Sequence, residues 1–97
     1  MFARSVSIHL KPNRVEEFTH IIEKQVIPMV RSLKGFQDKI VLVASAGLEA
    51  ISLSIWDLKE DAEAYGRGTY REVVKAKVVE GTPRVETREV SNSTFHK

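Results

Sequence analysis

Five side chains carry chemistry suited to a small ligand: Arg4 and His9 near the start, Trp56 at mid-chain, and Tyr65 and Tyr70 shortly after it. Histidine titrates near physiological pH, which makes His9 the first general-base candidate, with a surface or hydrogen-bonded structural histidine as the alternative. Tyr65 is the second catalytic candidate. Tyr65 and Tyr70 flank Gly66 and Gly68, where a bend would let two phenols line a cavity, unless both are core residues with satisfied hydroxyls. Trp56 offers a flat apolar wall with an N–H handle, or simply packs. Arg4 interrupts an apolar strand face, so it either snorkels to the edge or balances a bound anion.

Other chemistries find little support. His9, His20 and His96 have no ligand spacing and there is no cysteine, so no metal site and no thiolate catalysis are expected. His20 falls opposite the apolar stripe of its helix. Arg67, Arg71 and Lys75 recur every four residues, the pattern of a solvated helix face; nucleic-acid binding calls for a denser patch with aromatic platforms. Asn92-Ser93-Thr94 has the glycosylation pattern but no export signal to use it. No phosphate loop, nucleotide fingerprint or serine-histidine-aspartate spacing is present.

The elements that must position these residues follow from periodicity. Residues 2–10 alternate, with Phe2, Val6, Ile8 and Leu10 opposite Ala3, Ser5, Ser7 and His9, which predicts a half-buried strand. Asn13 with Glu16 has the form of a capping box. The stripe Val15, Phe18, Ile22, Val26, Met29, Leu33 predicts a helix, kinked at Pro28 and closed by Lys34-Gly35. Residues 39–44 are continuously apolar from Ile40, as in a strand covered on both faces. Residues 49–56 alternate again after a turn at 45–47. Asp57 with Glu60 forms a second capping box for a helix reaching toward Val79, Glu80-Gly81-Thr82-Pro83 stops it, and residues 85–95 predict a last strand.

This β-α-β-β-α-β order is the α+β, ferredoxin-like plan: a four-stranded antiparallel sheet with helices on one face. With 97 residues, 42% of them hydrophobic and 29% charged, the chain forms one domain over residues 1–97 and hides only roughly 60–65% of its unfolded surface. A homodimer would cover the open sheet face, with Val41 or Val43, whichever points outward, against the partner. The net charge of +2 is dispersed, which argues against nucleic acid. No apolar run approaches membrane-spanning length, and cysteine-free composition suits the cytoplasm.

Three segments resemble antibiotic-biosynthesis-monooxygenase domains: Val26 to Phe36, with its proline and closing Gly-Phe; Trp56-Asp57 with Glu60, Ala62 and Tyr65; and Glu80-Gly81-Thr82-Pro83. The resemblance implies a dimeric α+β barrel with a small-molecule pocket in each subunit. It also implies oxygenation of electron-rich aromatics such as quinols and anthrones with no cofactor. The haem-degrading branch of that family uses an asparagine, a tryptophan and a histidine where this chain has Val6 or Ser7, Tyr65 and Lys75, so haem is not expected as substrate.

Two functional expectations result. The first is a cofactor-independent monooxygenase acting on a small aromatic or quinol-type compound, with Trp56, Tyr65 and Tyr70 shaping the pocket and His9 or Arg4 handling charge. The second is a non-catalytic dimeric binding or structural module. Helices need an apolar surface, so Val6, Ile8, Ile51, Leu53 and Ile55 are expected beneath them, and Ser5, Ser7, His9, Ser52, Ser54 and Trp56 inside the dimer barrel. The family pocket lies on the helix side, which places the tyrosine site first and the His9/Trp56 set second.

Overall fold

Alternation in the first segment produces β1 (Phe2–Leu10): Val6, Ile8 and Leu10 are buried, while His9 on the reverse face is exposed. The computed structural model describes residues 1–44, 46, 48–66 and 78–92. β1 pairs antiparallel with β3 (Glu49–Trp56) on one side and β4 (Val79–Glu89) on the other, and β2 (Phe36–Val43) completes a four-stranded sheet of order β2-β3-β1-β4. That order is the ferredoxin-like plan predicted from the sequence, a four-stranded α+β fold. Among the described residues no helix is long and apolar enough to cross a membrane.

The first helical segment is interrupted where the sequence predicts a kink. α1 (Val15–Ile21) passes into a π-helical turn (Ile22–Val26) and then α2 (Ile27–Val30). Pro28 cannot donate a backbone hydrogen bond, and its ring crowds the preceding turn. The wider turn relieves that crowding, with the Ile27 N–H bonding Ile22 O five residues back. The turn absorbs roughly one extra residue, which carries the buried stripe to Val30 and leaves Met29 exposed, contrary to the regular helical spacing.

Neither predicted capping box forms as expected. Asn13 lies at φ 63°, a left-handed position that asparagine tolerates, and the helix begins behind Arg14 with no side-chain cap. The second helix, α3 (residues 59–66), opens on the Leu58 carbonyl, which accepts from the N–H groups of Asp61 and Ala62. Asp57 instead ties the sheet together: its Oδ1 accepts from Gln37 Nε2 at 2.5 Å and its N–H donates to Gly35 O at 2.8 Å. The predicted extension of this helix through 67–77 lies outside the described residues. β4 starts at Val79, not at Val85, and Glu80-Gly81-Thr82-Pro83 runs inside it. Gly81 at φ 74° and the register shift opposite Ser7 to His9 form a bulge, which accommodates Pro83 within a strand.

The largest correction concerns β3. Directly paired residues share a sheet face, and Val6 pairs with Ser52, Ile8 with Ala50 and Arg4 with Ser54. Ala50, Ser52, Ser54 and Trp56 therefore lie under the helices and are buried. Ile51 is 44% exposed on the open face, with Leu53 and Ile55 half-buried beside it. Small side chains there leave space for the large ones packed above them. The same parity puts Ile40 and Leu42 on the open face, 51% and 52% exposed, and Val41 and Val43 on the helix side.

Two core clusters result. One joins Val6, Ile8 and Leu10 to Phe18, Ile22 and Val26; the other surrounds Trp56 with Val30, Ala62 and Tyr65.

Candidate active site

A row of three residues crosses the sheet on its helix side: Lys39 of β2, Ser54 of β3 and Arg4 of β1, each directly paired with the next. Ser54 is small, so the two cationic side chains rise on either side of a shallow saddle, and α3 lays Tyr65 over it. The Arg4 guanidinium lies 5.4 Å from the Tyr65 ring centroid and the Lys39 ammonium 5.3 Å. Both are cation–π distances. Lys39 Nζ donates to Tyr65 OH at 2.9 Å and, by a short bond, to Ser52 Oγ.

Trp56 forms the end wall. Its ring centroid is 4.9 Å from that of Tyr65, and Phe36 meets it edge-on at 5.5 Å. Its indole N–H donates to Ser54 Oγ at 2.9 Å, so the polar handle is satisfied and Trp56 is fully buried. Gly66 forms the adjacent edge. A Cβ there would stand 2.6 to 2.9 Å from the Arg4 guanidinium atoms, so the missing side chain is what admits Arg4 beside the helix. Arg4 and Lys39 are both of intermediate exposure, giving the cluster its opening to solvent.

Burial sets the electrostatics. Lys39 is held down at about 8, chiefly by desolvation of its ammonium and secondarily by the charge of Arg4. Burial also lowers Arg4, with Tyr65 acting in the opposite direction. Among the described residues no carboxylate pairs with either cation. An amine with a pKa near the working pH can accept a proton, and its neighbour supplies a permanent positive charge.

Of the residues singled out from the sequence, Arg4, Trp56 and Tyr65 come together here. Trp56 does so against the expectation that it would look into a barrel, because the register turns its face toward the helices. His9 does not join them. It sits on the open face at the far end of β1, exposed, with Nδ1 3.7 Å from Glu49 Oε1. Tyr70 lies outside the described residues, as do Arg67, Arg71 and Lys75. Lys39 was missed, although a signal exists: counting back across the β2–β3 turn pairs residue 43 with 50 and therefore 39 with 54, beside Arg4. On the open face, Asp38, Ile40, Leu53 and Ile55 border a shallow depression of about 210 Å³ that is mostly apolar.

No protein-family model matches the sequence, and no curated protein matches it. Solved structures do. A Bordetella bronchiseptica protein described as a candidate antibiotic biosynthesis monooxygenase is 14% identical with a TM-score of 0.79, covering 94% of this chain and 97% of the other. A Nitrosomonas europaea protein of the same description is 14% identical at TM-score 0.77, covering 95% and 100%. A Streptomyces coelicolor monooxygenase in complex with nanaomycin D is 12% identical at TM-score 0.74, covering 99% and 92%. At these identities the likeness establishes the fold.

Proposed function

We propose that this chain, whose fold is that of the antibiotic biosynthesis monooxygenases, is a cofactor-independent monooxygenase acting on a small electron-rich hydroxyaromatic compound at the Arg4–Lys39–Tyr65–Trp56 cluster. The observation that carries this reading is Lys39: a half-buried amine with a pKa of about 8, hydrogen-bonded to Tyr65 and Ser52 and adjacent to a guanidinium. Neutral Lys39 takes the proton of the substrate hydroxyl. The resulting ammonium holds the aryloxide in the field of Arg4, and the buried Trp56 backs the Tyr65 ring that lies against both cations. The electron-rich anion passes an electron to dioxygen, and recombination forms a carbon–oxygen bond. The hydroperoxide then loses water to leave a carbonyl. For an anthrone the balance is one CH2 and one O2 to one C=O and one H2O.

His9, on the other face, is assigned no part in this scheme. Tyr65 orients the substrate hydroxyl. The chain is further proposed to act as a homodimer, with Ile40, Leu42 and Ile51 of the open face against a second copy.

Oxygen uptake on a panel of anthrones and quinols tests the activity. The rate should rise with pH through about 8 and level off, and Lys39→Met should remove that step. Tight binding with no oxygen uptake from any compound would replace the enzyme by the non-catalytic binding module.

A further inference from the structure

The cluster contains more positive charge than a neutral phenol can use. Two cations flank one tyrosine ring at 5.3 and 5.4 Å, on adjoining positions of the same sheet row. Burying two like charges side by side is unfavourable unless something of opposite sign joins them, and the described residues provide no carboxylate for either. The two cations are also unlike. Lys39 is directed by two hydrogen bonds toward Ser52 and Tyr65, so it meets a hydroxyl at the inner end of the cluster. Among the described residues Arg4 makes no side-chain hydrogen bond; it rests against the Tyr65 ring and in the space left by Gly66. Its Nε and one terminal nitrogen lie beside Gly66, and a partly exposed guanidinium without a carboxylate among the described residues is a charge that an added anion can neutralise.

We infer that the ligand is an aromatic acid, an aryl ring carrying both a hydroxyl and a carboxylate, with the carboxylate on Arg4 and the hydroxyl on Lys39. This rests on the proposed function for its choice of site and of an aromatic ring, and adds the permanent anionic group. Trp56 and Tyr65, tilted 33° to each other, are buried against one another, so the aryl ring lies on the Arg4–Lys39 side of the cluster, which is open to solvent. Gly66 thereby becomes a specificity residue, since the space beside it decides whether Arg4 can reach the carboxylate.

Trp56 is the sole tryptophan in the chain and touches Tyr65, so its fluorescence reports on this site directly. Titrations under nitrogen, which prevent turnover, would compare a hydroxynaphthoate, its methyl ester and the naphthol of the same skeleton. The acid should bind at least about tenfold more tightly than the ester or naphthol, the size of one charge-assisted pair. That advantage should shrink with added salt and vanish in Arg4→Gln. Gly66→Ala keeps the arginine but displaces it, and should also lose the preference; it serves if Arg4→Gln does not fold. Equal binding of all three compounds would overturn the aromatic-acid inference and leave the proposed function standing. Preference for the naphthol or ester would do the same. No binding by any compound, with oxygen uptake from neutral anthrones intact, would overturn the inference alone; no binding and no uptake would overturn both.

Discussion

A lysine held at about 8 makes the folded state sensitive to alkaline pH in a definite direction. Its folded pKa lies below the ordinary value of 10.5, so between about 8 and 10.5 the unfolded chain binds the extra proton and stability rises with pH. Below about 8 the full penalty of burying the ammonium is in place, roughly 3 kcal/mol by the size of the shift and less where solvent screens it. Denaturant unfolding of the native chain should show its midpoint rising over that window, and Lys39→Met should lack the rise. A flat native profile would remove Lys39 from the buried position assigned to it. At the neighbouring position, Gly66→Ala should leave stability unchanged or raise it by up to about 1 kcal/mol, because alanine is the better helix former and the displaced group is the flexible end of Arg4. Loss of acid binding without loss of thermal stability is the signature expected of it.

Elements hold the site through a few backbone positions. Gly35 sits at φ 78° between the first helical segment and β2, and its carbonyl accepts from Asp57 at the end of β3. A Cβ there would also strike the Asp61 carboxylate. Gly35→Ala should therefore cost more than about 1 kcal/mol, through both the left-handed backbone and the contact. A drop of several degrees in melting temperature is the expected reading. The same junction aims β2, so Lys39 should move with it, and Trp56 fluorescence should shift in the folded variant. The π turn ahead of Pro28 has a comparable role in α1 and α2: it rotates Val30 inward onto Trp56, and the wall of the site depends on that rotation.

On the scale of the whole molecule, the open sheet face is the unbalanced feature. Ile40, Leu42 and Ile51 are each 44% exposed or more, and Leu53 and Ile55 continue the same apolar face along β3. Light scattering at micromolar concentration should give twice the 11.0 kDa chain mass. Leu42→Asp should shift it toward monomer by placing a charge where it would be desolvated. Aspartate at Val41 would instead enter the helix side and impair folding, which separates the two faces experimentally.

Periodicity determined the number and type of strands, the first helix with its defect at Pro28 and the ferredoxin-like order, while residue type made Arg4, His9, Trp56, Tyr65 and Tyr70 the candidates. These are local properties, written in spacing of two and of three to four and in residues that cannot continue a helix. Which face of β3 meets the helices was not local. Ile51, Leu53 and Ile55 are the more apolar set, yet the register with β1 and β2 turned Ser52, Ser54 and Trp56 inward, because a strand's face is set by its partners across the ladder. That single choice brought Trp56 into the site and set Lys39 opposite Arg4. It also left His9 on the other side of the sheet. Lys39 acquired its chemistry only by burial beside another cation, a property that no residue type carries until the chain has folded around it.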